Sequence, residues 1–305
     1  MKTSITLGLV FAACAASAVA APPKVVSERT VYGFVNPESV GCDPDGKAIY
    51  VGNFGAPKLD PGKKEPTGYI SKLSLDGKLV DEKYLPAKGA EPLHKPKGIW
   101  ISKGKLWVTD IDSVREFDLK SRKDRKVDLP GENLFANDPA IWGNALYVTD
   151  NRNDELFKIE PADFLGAKAA PKVTKVLDHA GPNPNGVWPG KNRLLLAGFK
   201  SQDSARALWA VGKDGKAQPI SLPLGRLDGL YEMADGSILA TNWDDGSFFH
   251  WTLEGGTTIL AKGFKGPADF CVIPGAHGKL TAYVPDLVQS QVRIIELAPA
   301  ASASK

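Results

Sequence analysis

The sequence predicts an all-β protein, a six-bladed β-propeller closed by its N-terminal strand. Three observations predict this fold class. One phrase recurs six times, helical periodicity is nearly absent, and an alternating segment near the N-terminus has no neighbouring partner. The 31 Gly and 23 Pro residues supply the many turns that short antiparallel strands require.

Each copy of the phrase has a polar residue, a short hydrophobic stretch, a Gly-containing turn and a strand rich in β-branched and aromatic residues. The copies begin at Glu38, Lys97, Asn137, Asn185, Asp228 and Asp269. Successive starts are 40 to 59 residues apart, which suits a blade of four short strands. An ordinary β-sandwich is the alternative, and six similar phrases argue against it.

The last repeat is one strand short. Its three strands are predicted at residues 270–273, 280–284 and 292–297. Residues 30–35 (Thr-Val-Tyr-Gly-Phe-Val) alternate as a strand does, and we expect them to form the outer strand of blade six and to close the ring. The propeller is therefore predicted to span residues 21–297, followed by a disordered tail at 298–305.

Residues 1–20 have the pattern of a signal peptide. Lys2 precedes a short apolar run at 5–13, and Ala-Val-Ala at 18–20 offers a cleavage site. We therefore expect an exported protein, periplasmic or secreted. Lipid attachment at Cys14 is the alternative.

The charge balance excludes some partners. The formal net charge is +3, from 38 basic and 35 acidic residues, so nothing indicates binding to nucleic acid or to an anionic membrane. No later stretch is long and apolar enough for a transmembrane helix. A small molecule is the partner that we expect, and a protein partner is the alternative.

Two cysteines follow the predicted cleavage site. Cys42 falls on the inner strand of blade one and Cys271 on that of blade six, and these blades are neighbours in a closed ring. An oxidising compartment would allow a disulfide between them. The alternative is two small buried hydrophobic side chains.

Equivalent positions of the repeat meet at the propeller axis. Glu38, Asn137, Asn185 and Asp228 occupy the position just before the inner strand of blades one, three, four and five, and blades two and six have Lys97 and Asp269 there. Each residue alone reads as an ordinary turn residue. Together, their oxygen atoms suit one hard divalent cation, with Ca²⁺ as first choice and Mn²⁺, Mg²⁺ or Zn²⁺ as alternatives.

Four segments carry a resemblance to the senescence marker protein (regucalcin)/gluconolactonase family of six-bladed propellers. Residues 37–41 resemble its Gly-Glu-Ser-Pro-Val segment, 135–138 its Arg-Phe-Asn-Asp, 184–186 its Ser-Asn-Gly and 227–229 its Pro-Asp-Gly. The segments occur in the family's order and in the matching blades. In that family a metal-dependent site hydrolyses a sugar lactone or similar ester.

The resemblance implies a role for each matching residue. Glu38, Asn185 and Asp228 would bind the divalent metal ion, and Asp228 would also be the catalytic general base toward water. Asn137 and Asp138 would bind the substrate, with Asn137 orienting it or stabilising the developing oxyanion.

The sequence also departs from the family pattern. Phe135 stands where the family has a substrate-gripping Arg, and with Trp142 and Trp188 it suggests a substrate less polar than gluconolactone. Packing between blades is the alternative for these aromatic residues. Residues 54–67 form the one long insertion, either a lid or partner-binding loop, or a solvated loop.

Two functions are consistent with the sequence. One is a metal-dependent hydrolase of a lactone or similar ester, and the other is a non-catalytic propeller that binds a ligand or protein partner. Motifs of serine hydrolases, P-loop NTPases and dinucleotide-binding enzymes are absent from the sequence.

Overall fold

The computed structural model describes residues 21–179, 181–200 and 206–300. The predicted signal peptide, with Cys14, and residues 301–305 of the predicted tail lie outside these ranges. Within them the chain forms six four-stranded antiparallel sheets and a 3₁₀ turn at Ala276–Gly278. The predicted all-β, six-bladed β-propeller is confirmed.

The strands follow one another blade by blade, except that the first strand, β1 (Lys24–Tyr32), belongs to the last blade. From the axis outwards, blade one contains β2 (Pro37–Asp43), β3 (Ala48–Asn53), β4 (Tyr69–Ser74) and β5 (Leu79–Leu85). Blade two contains β6 (Pro96–Ser102), β7 (Lys105–Asp110), β8 (Ser113–Asp118) and β9 (Asp124–Asp128). Blade three contains β10 (Ala136–Trp142), β11 (Ala145–Asp150), β12 (Glu155–Glu160) and β13 (Lys172–Asp178).

The second half of the ring repeats this order. Blade four contains β14 (Pro184–Pro189), β15 (Leu194–Gly198), β16 (Leu208–Val211) and β17 (Ala217–Pro219). Blade five contains β18 (Leu227–Glu232), β19 (Ile238–Asn242), β20 (Ser247–Thr252) and β21 (Gly256–Lys262). Blade six contains β22 (Cys271–Pro274), β23 (Leu280–Asp286), β24 (Gln291–Ala298) and, outermost, β1.

Tight turns connect the inner strand of a blade to the next strand. Gly104 joins β6 to β7 at φ +73°, and Gly143 joins β10 to β11 at φ +66°. A Cβ atom at either position would meet no atom within 4 Å, so the backbone conformation, not space, favours glycine there.

The hydrophobic core is divided among the six blade interfaces. Each interface holds one cluster of buried apolar side chains, contributed by the facing sheets of two neighbouring blades. Between blades six and one, for example, Val40 and Val51 pack with Ile294. Since each blade is apolar on both faces, no blade buries its surface without its neighbours.

Blade six is built from both ends of the chain. β1 pairs antiparallel with β24 from Lys24 opposite Ala298 to Tyr32 opposite Gln291, so the N-terminal strand closes the ring. This strand begins and ends earlier than the predicted segment 30–35. It ends at Tyr32 because the chain turns at Gly33, where φ is +104°. β24 includes Ala298, the first residue of the predicted tail.

Two further links join blades one and six near the axis. A disulfide connects Cys42 on β2 to Cys271 on β22, with 5.7 Å between the two Cα atoms. Ser39 and Asp269 form a parallel β-bridge next to it. Among the described residues, no helix is both long and apolar enough to cross a membrane.

Candidate functional site

The inner strands of the six blades begin at one end of the propeller axis. The second residue of five inner strands, and the residue two positions before β22, form a ring that we call the axial ring. Its members are Glu38, Lys97, Asn137, Asn185, Asp228 and Asp269. All six side chains are buried, with at most 9% of the surface of any of them exposed. The structure therefore brings together the residues that the repeat predicted at the axis.

Several oxygen atoms at this end of the axis lack a hydrogen-bond donor. They are Glu38 Oε2, Asn137 Oδ1, Asp138 Oδ1, Asn185 Oδ1 and Asp228 Oδ1. Buried polar atoms are nearly always hydrogen-bonded, and leaving one unpaired costs about 1–3 kcal/mol. A group of five such acceptors is the arrangement expected of a site that binds a cation.

Asp228 is held in place on one side only. Its Oδ2 atom accepts hydrogen bonds from Asn185 Nδ2 at 3.0 Å and from Trp243 Nε1 at 2.8 Å. Its Oδ1 atom has no donor. These two bonds fix the carboxylate and leave one oxygen atom for a ligand.

Trp243 is a site residue that the repeat pattern does not indicate. The residue directly follows β19, which runs antiparallel to β18 and therefore ends beside the start of β18, where Asp228 lies. Its position, one residue after the second strand of blade five, is the feature of the sequence that could have indicated it. A buried indole N–H needs an acceptor, and the carboxylate provides it.

Burial, and for three of the four groups also the charge of neighbouring carboxylates, raises the pKa of the carboxyl groups at the site. Burial raises the pKa of Glu38, and the charges of Asp228 and Asp269 raise it further, while Lys97 opposes this. Burial, followed by the charge of Asp269, raises the pKa of Asp228, and burial raises that of Asp269 to about 7. The pKa of Asp138 is also raised, by burial and then by three neighbouring carboxylates. Such mutual repulsion is relieved by a bound cation.

The donor set fits a hard divalent ion. Glu38 and Asp228 supply carboxylate oxygens, and Asn185 and Asn137 supply amide oxygens, which are ligands that Ca²⁺ accepts readily. In the described ranges no group of three or more His, Cys, Asp or Glu side chains is placed to hold a metal ion, so a metal ion here would need the amide oxygens as well as the carboxylates.

Threonine side chains position the axial ring. Thr149 Oγ1 donates to the carbonyl of Asn185 at 2.6 Å, and Thr109 Oγ1 donates in the same way to the carbonyl of Asn137. Thr241 Oγ1 donates to the carbonyl of Ala268, one residue before Asp269. Each threonine lies on the second strand of one blade and fixes the inner strand of the next, so ring positions depend on neighbouring blades.

The residue after each of these threonines holds the segment that enters its own blade. Asp110 Oδ1 accepts from Lys95 N at 2.7 Å, Asp150 Oδ1 from Phe135 N at 3.1 Å, and Asn242 Nδ2 donates to Leu224 O at 3.0 Å. In the Val-Thr-Asp segments of blades two and three, the threonine therefore fixes the inner strand of the next blade, and the aspartate fixes the segment that enters its own blade. Periodicity alone does not reveal these contacts.

The far part of the channel is mainly apolar. A cavity of about 120 Å³ is lined by Trp100, Trp188 and both cysteines of the disulfide, with Asp138 and Asp269 as its polar members. Asp138 therefore belongs to the channel wall as well as to the oxygen cluster.

The three aromatic residues singled out in the sequence separate into two groups. Trp188 packs on Trp100 at 5.6 Å and on Tyr231 at 4.9 Å, and Trp142 packs on Tyr147, all measured between ring centroids. Both tryptophans lie near the far ends of their inner strands, which favours the packing interpretation. Phe135 alone lies at the axial-ring end, two residues before Asn137.

The insertion at residues 54–67 is attached to blade two. Lys95 Nζ, which is fully buried, pairs with Glu65 Oε1 at 2.7 Å, and Lys64 pairs with Asp112. At Gly62 a Cβ atom would lie 3.1 Å from Arg152 Nη2. The insertion is therefore held by ion pairs to blade two and passes close to Arg152 of blade three, so it is not a freely solvated loop.

No family model and no curated protein matches the sequence. Solved structures do match the fold. A gluconolactonase from Xanthomonas campestris is 13% identical, with a TM-score of 0.63 and coverage of 92% of this chain and 97% of that one. The chain has the six-bladed fold of gluconolactonase-like propellers. Another structure classed with the gluconolactonases is 17% identical, with a TM-score of 0.64 over 92% of this chain and 97% of that one.

The same fold occurs in a second class of enzyme. A virginiamycin B lyase from Staphylococcus aureus, solved with quinupristin as a variant inactivated by a histidine-to-alanine exchange, is 16% identical. Its TM-score is 0.59, over 92% of this chain and 90% of that one. At these identities the likeness concerns the fold, and any activity has to be argued from the site.

Proposed function

We propose that this protein is a metal-dependent hydrolase of a lactone or similar ester, with the divalent cation bound at the axial ring. The observation that carries the proposal is the group of five buried oxygen atoms without donors, four of which belong to the ring. A propeller that only presented its outer surface to a partner would have no need of this costly arrangement.

The proposed ligands are Glu38, Asn185 and Asp228, whose free oxygen atoms are those named above. A divalent cation there would polarise the ester carbonyl and lower the pKa of water. Trp243 and Asn185 fix the carboxylate of Asp228 through Oδ2, and its Oδ1 atom can then accept a proton from water as a general base.

Asn137 is the proposed substrate-binding residue, together with Asp138. Its Oδ1 atom is buried without a donor, and its main chain is fixed by Thr109, so the side-chain amide is held at the axis in a defined position. An amide N–H in such a position stabilises negative charge on a carbonyl oxygen during attack by water.

The lyase-like neighbour offers less support. Its activity is lost on exchange of a histidine. In this chain no histidine of the described residues hydrogen-bonds to an axial-ring oxygen, and His250 lies on β20, the third strand of its blade. Carboxylate and amide chemistry therefore suits this axis better than histidine chemistry.

The test is a hydrolysis screen of lactones and esters with Ca²⁺, Mn²⁺, Mg²⁺ and Zn²⁺, combined with thermal melts. Cation at about 100 times its Kd adds about 2.7 kcal/mol of stability, which corresponds to roughly 5–10 °C in Tm for a chain of this size. Glu38→Ala and Asp228→Ala should abolish both the shift and the turnover. Asp45→Ala, at an exposed turn, is the control that should keep both.

A cation-dependent shift without turnover of any substrate would favour the non-catalytic, ligand-binding propeller instead. No shift and no turnover would refute the proposal altogether.

Export is a further proposal. The disulfide between Cys42 and Cys271 supports an oxidising compartment, because cytosolic proteins seldom keep such bonds. Mass analysis of the mature protein from a periplasmic fraction should find an N-terminus at Ala21, and an intact N-terminus in the cytosol would contradict it.

A further inference from the structure

Two cations lie close to the Phe135 ring at the axial-ring end. Lys97 Nζ lies 4.2 Å from the centroid of the Phe135 ring, and the guanidinium carbon of Arg152 lies 5.0 Å from the same centroid. Phe135 is half-buried and leads directly into Asn137. The two positive charges are therefore at the edge of the proposed catalytic site.

Neither cation has an ion pair among the residues that the structure describes. The polar contact of Lys97 Nζ is the carbonyl of Lys95 at 3.5 Å, and that of the Arg152 guanidinium is the carbonyl of Asn133 at 3.4 Å. Lys95, two residues from Lys97 and equally buried, does have a partner, Glu65 at 2.7 Å. A buried ammonium without a carboxylate partner is costly, so its retention calls for a reason.

The two charges also act on each other. Lys97 is fully buried, and the guanidinium of Arg152 and the carboxylates of Glu38 and Asp110 are near enough to act on its charge. In the proposed function Glu38 is a metal ligand. With Glu38 committed to a cation, Lys97 and Arg152 are left as two neighbouring positive charges that a single anion would satisfy.

We propose that Lys97 and Arg152 bind a carboxylate group of the substrate, so that the preferred substrate is an anionic lactone or ester. This rests on the proposed hydrolase function and names its substrate class. The Phe135 ring would lie beside the substrate in contact with both cations, so the aromatic residue at this position does not make the site apolar. Arg152 is exposed and meets the arriving carboxylate, and Lys97 holds it near the axial ring.

The experiment compares γ-carboxy-γ-butyrolactone with its primary carboxamide, two lactones of nearly equal size that differ in charge. For the native protein, kcat/KM should be about tenfold or more higher for the carboxylate. Arg152→Gln and Lys97→Met should each bring the ratio of the two kcat/KM values close to one. Lys168→Met, an exposed exchange without a contact to the site, is the control and should keep the native ratio.

If the native protein hydrolyses both lactones with nearly equal kcat/KM, the anion site is overturned and the hydrolase proposal stands. The same holds if both variants keep a high ratio of the two kcat/KM values. If neither lactone is hydrolysed, calorimetric titration with glutarate separates the two ideas. Binding that Arg152→Gln abolishes would support the anion site in a propeller that is not a lactonase. No binding of glutarate to the native protein would overturn the anion site as well. Arg152→Gln changes an exposed side chain, so the test does not depend on whether Lys97→Met folds.

Discussion

Asp228→Asn should make the metal-free protein more stable, although it removes the central residue of the proposed site. The native carboxylate is buried beside Glu38 and Asp269, and burial and the charge of Asp269 raise its pKa. Asparagine keeps one oxygen atom to accept from Asn185 Nδ2 and Trp243 Nε1. Its Nδ2 atom takes the place of the oxygen that has no donor.

The expected gain follows from the number of groups relieved. One unpaired buried acceptor is removed, at about 1–3 kcal/mol, together with one of several like charges. For a chain of this size each kcal/mol corresponds to roughly 2–4 °C, so Tm in chelator should rise by about 2–12 °C. Thermal melts followed by circular dichroism, in EDTA and then with excess Ca²⁺, measure both states.

The same melts contain the contrast that makes the test sharp. Asp228→Ala also removes the charge, but it leaves Asn185 Nδ2 and Trp243 Nε1 without an acceptor, so it should not show the gain. Ca²⁺ should raise the Tm of the native protein and of neither variant. The reasoning is refuted if Asp228→Asn is less stable than the native protein in EDTA and still gains stability from Ca²⁺.

Two further predictions concern the frame of the site. Replacing both Cys42 and Cys271 with serine should lower the free energy of unfolding by about 3–5 kcal/mol, because the disulfide closes a loop with a sequence separation of 229 residues. Urea denaturation measures this loss. An unchanged midpoint would show that the β1–β24 pairing alone determines closure. Thr149→Val should lower the free energy of unfolding by about 1–3 kcal/mol, because the carbonyl of Asn185 loses its donor, and it should weaken the Ca²⁺-dependent Tm shift. Thr174→Val, on the exposed face of β13, is the control and should have neither effect. A Thr149→Val protein with a native Ca²⁺ response would contradict the positioning role of the threonine.

The repeat made most of the fold predictable. A period close to one blade, with the same polar position at the start of each copy, is enough to place Glu38 and Asp228 at one axis although 190 residues separate them. The partner of the N-terminal strand was also predictable, because blade six lacked one strand. Its limits were not, since the end of β1 depends on the backbone turn at Gly33, and alternation continues past it.

Side-chain partners were beyond the reach of the sequence. The bond from Trp243 to Asp228 depends on how two antiparallel strands bring their ends together. The approach of Arg152 to Phe135 depends on a turn of blade three that the repeat does not align. Periodicity locates backbone positions, whereas the charge environment of a site is decided by residues outside the periodic phrase.

The construction of blade six has a consequence for how the protein acquires its site. Residues paired between β1 and β24 are separated by most of the chain, so this pairing contributes contacts of very high sequence separation, which form late in folding. Glu38 reaches its place beside Asp269 only when blade one docks on blade six, which needs the last strand to be synthesised. The chain therefore cannot complete the axial oxygen cluster while it is still being made, and under the proposed function cation binding would report that the ring is finished. An incomplete or truncated chain would expose its blade interfaces and would lack the complete proposed site.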